Sequence, residues 1–150
     1  MANAQESIEG EDREQAFKQL QETTLFSDCG EVALHSFVLA AHQQTYEAET
    51  VIIKEGEAGL GFYLILDGRV AVKRKERLLV ELGVGDFFGE MAILTRTPRF
   101  ADVVALEPIR CLVWGRRAFR EILTTYTEVA LKLMEELALR LQRADEMIAG

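Results

Sequence analysis

The chain has 150 residues, of which 49% are hydrophobic and 28% are charged, and its formal net charge is −8. This composition supports one domain with a real core, and the acidic balance excludes the basic face that direct nucleic-acid binding needs. The sequence has no charged-then-apolar leader and no apolar run near the roughly 18 residues of a membrane span. We therefore expect a cytoplasmic protein without membrane insertion.

The first part of the chain is predicted to be helical after a polar start. Residues 1–12 are polar and acidic, which predicts a disordered tail. Residues 13–42 form an N-terminal helical segment, because Ala16, Phe17 and Leu20 and later Leu34 recur at helical spacing.

Residues 43–115 change to short apolar runs separated by glycine-containing turns. The strand-like runs are 50–53, 62–66, 69–74, 77–82 and 109–114. Asp67-Gly68 between two of them is a strong hairpin signal. Regularly spaced short strands of this kind predict an antiparallel sandwich or barrel, interrupted by a short helix between Gly89 and Leu94.

Residues 116–150 are predicted to form two helices, at 116–123 and 127–148. In the longer helix six residues recur at gaps of four and three: Ala130, Met134, Leu137, Leu141, Ala144 and Ile148. Such spacing is typical of a coiled-coil seam. Two interpretations stay open, a helix packed only against its own domain and a homodimer formed through helix 127–148.

The stretch from 85 to 105 carries the strongest functional signal. Glycines and two phenylalanines lead into Glu90, a short apolar helix and a turn at Pro98 follow, and Arg99 precedes another strand. A helix N-terminus offers free N–H groups to an anion, and an arginine offers a fork of donors that suits phosphate. Glu90 offers acceptors to a sugar hydroxyl. The stretch therefore predicts a pocket for a ligand with a phosphate and a polyol.

The order of elements and this stretch together resemble the cyclic nucleotide-binding domain. Phe88-Gly89-Glu90, followed by Arg99-Phe100-Ala101, is similar to the phosphate-binding cassette of that family, including the nine-residue separation of Glu90 from Arg99. The resemblance covers roughly residues 24–148. It implies a mainly β fold with flanking α-helices: an antiparallel β jelly-roll barrel with N-terminal helices, a short cassette helix and two C-terminal helices.

The resemblance also implies roles for individual residues. Glu90 would accept a hydrogen bond from the ribose 2′-hydroxyl, Arg99 would pair with the phosphate, and Gly89 would let the backbone approach the sugar. The backbone N–H groups around Met91, Ala92, Phe100 and Ala101 would hold the phosphate. A base pocket would include Val72, Leu79 and Leu82, with Arg143 as a further candidate.

Phe100 and Asp102 depart from the usual cassette. Because Phe100 has no hydroxyl to contact guanine, cAMP is the expected ligand and cGMP is less expected. Asp102 alternates with Ala101 and Val103 on a strand, so it is expected to point away from the pocket.

Three functions remain open at this level. The leading one is a cyclic nucleotide sensor that signals through its C-terminal helices to an unknown effector. The others are a degenerate, non-binding interaction or dimerisation module and the sensor half of a truncated cAMP-receptor-type transcription regulator. Two scattered histidines, His35 and His42, cannot supply a catalytic or metal-binding set, so neither an enzyme nor a metal site is expected.

Overall fold

A computed structural model describes residues 4–7, 10–59 and 61–149. Its helices are α1 Gly10–Glu22, α2 Glu31–Ala40, α3 Glu90–Thr95, α4 Arg116–Thr125 and α5 Thr127–Ala149. Its strands are β1 Ala4–Ser7, β2 His42–Tyr46, β3 Val51–Ile53, β4 Gly61–Asp67, β5 Val70–Arg74, β6 Arg77–Leu82, β7 Phe87–Phe88, β8 Asp102–Ala105 and β9 Ile109–Gly115. None of the helices among these residues is long and apolar enough to cross a membrane.

The strands of the described residues group into two antiparallel sheets. One has the order β1-β2-β9-β4-β7 and the other has the order β3-β8-β5-β6. The helices flank these sheets, and α3 lies between β7 and β8 in the chain. The predicted fold class, mainly β with flanking helices around antiparallel jelly-roll strands, is confirmed.

Alternation along the central strands creates two cores. Phe62, Leu64 and Leu66 of β4 pack in a cluster with the helices, whereas Ile65 of the same strand packs in a second cluster with residues of the smaller sheet such as Val70. Successive side chains of a strand point to opposite faces, so β4 contributes to both cores. Burying a phenylalanine or leucine side chain stabilises a fold by roughly 1.5–3 kcal/mol.

Aromatic contacts attach the helices to the larger sheet. Trp114 of β9 is buried, and its Nε1 donates to the backbone oxygen of Phe37 in α2 at 2.9 Å. Phe62 of β4 stacks on Phe119 of α4 with ring centroids 3.8 Å apart. Val129 of α5 is buried in the same core. These contacts attach α2 and α4 to the larger sheet, and Val129 places the beginning of α5 in the same core.

The beginning of the chain differs from the prediction of a disordered tail over residues 1–12. Ala4–Ser7 pairs with β2 as an edge strand, and α1 begins at Gly10. Polar composition does not prevent this pairing, because the backbone of β2 supplies the hydrogen bonds. Residues 1–3, 8 and 9 of the predicted tail lie outside the described residues.

Strand β2 was also missed, because the helical segment was predicted to reach residue 42. Helix α2 ends at Ala40, and His42–Tyr46 pairs antiparallel with β9. The residues of β2 are mostly polar, and only Gln44 and Tyr46 are buried. Backbone pairing with β9 and the burial of Tyr46 in the second core hold the strand, and one buried aromatic residue does not make a hydrophobic pattern. The Tyr46 hydroxyl also donates to Gln44 Oε1.

Candidate functional site

A glycine makes the tight turn from β7 into α3. Gly89 has a φ of 90°, in the left-handed region that side chains disfavour. A Cβ built there would lie 2.6 Å from the Gly61 backbone oxygen and 3.1 Å from Arg99 Nη1. Only glycine therefore allows the backbone of the cassette to pass this close to β4 and to the arginine.

Replacing Gly89 with alanine is expected to destabilise the domain by more than about 1 kcal/mol, because the new Cβ combines an unfavourable φ with a backbone clash. Urea unfolding followed by circular dichroism measures the effect. The matched control is Gly83→Ala, where a Cβ meets only Arg69 Cγ at an ordinary 3.7 Å. Equal stability of the two variants would contradict this account of the turn.

Arg99 lies buried beneath the cassette, with 9% of its surface exposed. Its Nη1 donates to the Gly89 oxygen at 3.0 Å, and its Nη2 donates to the Gly61 oxygen at 3.1 Å. Burial lowers the pKa of the guanidinium, and the neighbouring Tyr63 and Glu90 oppose that shift. Because an arginine stays protonated in proteins, the site holds a positive charge with little solvent around it.

The position of Arg99 depends on a second glycine, in the loop before β4. A Cβ on Gly59 would lie 1.9 Å from Arg99 Nε and 2.1 Å from its Cζ. The side chain of the arginine therefore occupies the space that any larger residue at position 59 would need.

Glu90, the first residue of α3, is held by the C-terminal helix. Its side chain is 12% exposed, and its Oε1 lies 3.5 Å from Arg140 Nη1 of α5. Arg140 also donates from Nη2 to the Phe87 backbone oxygen at 2.7 Å, and its Cζ lies 4.0 Å from the centroid of the Phe87 ring. The carboxylate predicted to bind a sugar is thus joined directly to α5.

These groups surround a cavity of about 330 Å³ between α3, the smaller sheet and α5. The lining includes all the residues that the sequence singled out: Gly89, Glu90, Met91, Ala92, Arg99, Phe100, Ala101, Val72, Leu79, Leu82 and Arg143. The structure brings them together around one space. Their contacts to a ligand stay a prediction.

Sequence reasoning missed other residues of the lining. They are Ile53, Val80, Phe88 and Val103 on strands and Arg140 and Met147 on α5. Arg140, Arg143 and Met147 lie three and four positions apart, so they share one face of the helix. The sequence could have identified Arg140 and Met147, because residues three and four positions from the candidate Arg143 lie on the same face of a helix.

The two departures from the usual cassette have different positions. The ring of Phe100 lines the cavity, and Arg74 Cζ lies 4.2 Å from its centroid. Asp102 is outside the lining, and its Oδ1 accepts a hydrogen bond from the Glu55 backbone N–H at 2.7 Å. This hydrogen bond therefore links the beginning of β8 to the segment that follows β3.

No group of three or more His, Cys, Asp or Glu side chains that could hold a metal ion occurs in residues 4–7, 10–59 and 61–149. The polar part of the cavity lining consists of the Glu90 carboxylate, the guanidinium groups of the buried Arg99 and the exposed Arg143, and the first turn of α3. This combination suits a ligand that carries both hydroxyl groups and a negative charge.

Comparison with known proteins gives the family. Residues 43–126, more than half of the chain, match the family model of the cyclic nucleotide-binding domain. The chain belongs to the cyclic nucleotide-binding domain family, and the resemblance seen in the sequence is confirmed. Members of this family are regulatory binding modules, and the matched residues cover that binding domain.

Three relatives illustrate the breadth of the family. A cAMP-dependent protein kinase regulatory subunit of Yarrowia lipolytica is 35% identical over 106 residues, which cover 69% of this chain and 28% of that protein. A cGMP-dependent protein kinase, isozyme 1, of Drosophila melanogaster is 32% identical over 121 residues, covering 75% and 16%. The regulatory domain of Toxoplasma gondii PKA, crystallised with cAMP, has a TM-score of 0.69 and 30% identity, covering 76% and 46%. The chain therefore spans less than half of each of these relatives.

Proposed function

We propose that this domain is a cytoplasmic cAMP sensor that binds its ligand in the cavity and signals through α5. The observation that carries the proposal is the joint lining of one cavity by the buried Arg99, by Glu90 and by apolar strand residues. A cyclic phosphodiester has one negative charge, which one arginine and the N–H groups of a helix turn can match. Glu90 would accept from the ribose, and the apolar wall would contact the base.

Signalling follows from the contact between Glu90 and Arg140. A ribose hydroxyl that donates to Glu90 must share the carboxylate with Arg140 or displace it. The ligand then favours one arrangement of α5 over another, as any ligand-driven change requires. The second half of α5, which carries Arg140, Arg143 and Met147, is the element whose position depends on the occupant of the cavity.

The choice of cAMP over cGMP rests on Phe100. Replacing Phe100 with threonine is expected to shift the ratio of cGMP to cAMP affinity about tenfold toward cGMP, since a new hydrogen bond to guanine contributes roughly 1 kcal/mol or more. Competition against a fluorescent cyclic nucleotide measures the ratio. Phe100→Val is the matched control, because it removes the ring without adding a hydroxyl. An unchanged ratio in the threonine variant would exclude this basis of selectivity.

A thermal-shift panel tests the proposed function as a whole. A ligand at 100 times its Kd stabilises the native state by about 2.7 kcal/mol, so cAMP should raise the Tm by several degrees. 5′-AMP should have little effect, because it lacks the cyclic diester. If no cyclic nucleotide raises the Tm at near-millimolar concentration, the domain is the non-binding interaction module instead.

We further propose that the outer face of α5 forms a homodimer. Met134, Leu141 and Ile148 lie seven residues apart and are 57%, 63% and 85% exposed. Leu137, which lies between them in the predicted seam, packs partly against the domain's own core. One face of the helix therefore contacts the domain, and another apolar face is left exposed. Sedimentation equilibrium should give a dimer for the native chain and a monomer for Leu141→Glu, and a monomeric native chain would contradict the proposal.

A further inference from the structure

Three arginines, Arg96, Arg116 and Arg120, lie at or reach the C-terminal half of α3. Arg116 of α4 donates from Nη1 to the Ala92 backbone oxygen at 3.0 Å, and Arg120 donates from Nη1 to the Ile93 oxygen at 3.1 Å. Arg96 is the residue that caps α3 and has a φ of 58°. Arg116 and Arg120 lie one turn apart on α4, so their guanidinium groups share one face of that helix.

This arginine cluster, Arg96, Arg116 and Arg120, lacks a counter-ion among the residues that the structure describes. Within the part of the chain that the structure describes, no carboxylate lies within 4.0 Å of any of the three guanidinium groups. By contrast, Arg69 and Arg110 each form ion pairs of 2.8–2.9 Å. Three neighbouring arginines without an ion pair are unexpected in a chain with 25 acidic and 17 basic residues.

A second observation points to a missing binding partner. Nη2 of Arg116 is buried and has no hydrogen-bond partner among the described residues. Desolvation lowers the pKa of Arg116, and the positive charges of Arg96 and Arg120 lower it further. A buried N–H of a charged group that lacks an acceptor is unfavourable, and an anion beside the cluster would offset the repulsion among the three positive charges.

We propose that the arginine cluster is a second binding site, for a phosphate-type oxyanion that the exposed guanidinium groups of Arg96 and Arg120 bind beside Arg116. A carboxylate is matched by the fork of a single guanidinium, whereas the tetrahedral oxygens of a phosphate accept from several guanidinium groups at once. The ligand is either free inorganic phosphate or the phosphate monoester of a larger molecule. The site lies at the opposite end of α3 from Glu90, so it goes beyond the proposed cyclic nucleotide function.

The test is an NMR titration that follows each arginine Nε–H signal in the intact chain. Sodium phosphate and glycerol 3-phosphate are added, against sodium chloride and sodium acetate at equal ionic strength. The expected result is a saturable shift of the Arg116 and Arg120 signals with a phosphate at millimolar concentration. Tighter binding of inorganic phosphate would indicate that the ligand is the free ion, and tighter binding of glycerol 3-phosphate would indicate a phosphate monoester. Because phosphate in the nucleotide cavity would shift Arg99 instead, the outcome is independent of the proposed function.

Variants separate binding from a purely structural role at the end of α3. Arg96→Gln removes an exposed group, so it should fold normally, and we expect it to weaken phosphate binding about tenfold, the effect of one charge-assisted hydrogen bond. Arg117→Gln is the matched control, because Arg117 lies on α4 next to Arg116, is 95% exposed and gives the same change of charge. Equal effects of the two variants, or equal shifts with chloride and phosphate, would overturn the proposal and leave Arg116 and Arg120 as caps of α3.

Discussion

Replacing Arg99 with glutamine is expected to weaken cAMP binding by about ten- to a hundredfold or more, because a hydrogen bond to a charged group contributes roughly 1.5–3 kcal/mol. The expected loss lies at the upper end of this range, since the guanidinium is buried and little solvent screens its attraction to an anion. Glutamine keeps an amide that can donate to the Gly61 oxygen, so the variant removes the charge while it retains part of the packing.

A matched variant and a folding measurement complete this experiment. Arg77→Gln changes the net charge by the same amount at an exposed position on β6, and it should bind cAMP as the native chain does. Circular dichroism establishes that the Arg99 variant is folded before its affinity is compared. If folded Arg99→Gln binds cAMP within twofold of the native chain, Arg99 does not contact the phosphate.

Replacing Arg140 with glutamine is expected to destabilise the domain by about 1–2 kcal/mol and to release the second half of α5. The change removes the ion pair to Glu90, the hydrogen bond to the Phe87 oxygen and the contact with the Phe87 ring. A cation over an aromatic ring contributes roughly 0.5–1 kcal/mol at an exposed site, and a hydrogen bond from a charged donor adds more. The half-buried carboxylate of Glu90 is then left without this ion pair.

Hydrogen exchange and urea unfolding measure this effect. Amides after residue 140 should exchange faster in Arg140→Gln, whereas those near the buried Val129 should stay protected. Arg143→Gln is the matched control, because Arg143 is an exposed arginine on the same helix. Identical exchange in the two variants would show that Arg140 does not attach α5 to the cassette.

Much of the candidate site was predictable because its residues are close in the sequence. The cassette helix was placed at 89–94 and lies at Glu90–Thr95, and the hairpin at Asp67-Gly68 joins β4 to β5. Turn glycines and a switch from strand to helical spacing are local signals, so they survive in a single sequence. The lining followed from the family resemblance rather than from spacing alone.

The contacts that α5 makes were not predictable in the same way. The heptad pattern of Met134, Leu141 and Ile148 indicates an apolar face but not its partner. The ion pair of Arg140 with Glu90 joins residues 50 positions apart, and only the fold brings them within 3.5 Å. The prediction missed strand β2 for a similar reason, because its polar residues are held by backbone pairing with β9.

A calorimetric titration of the native chain with cAMP tests the central claim most directly. The titration is run at two temperatures, because the binding enthalpy changes with temperature and can be close to zero at one of them. The account predicts one cAMP bound per chain, with a measurable heat at one temperature at least, and the loss of that heat in Arg99→Gln. The absence of heat at both temperatures up to about 1 mM cAMP, which corresponds to a binding free energy weaker than about −4 kcal/mol, would contradict it.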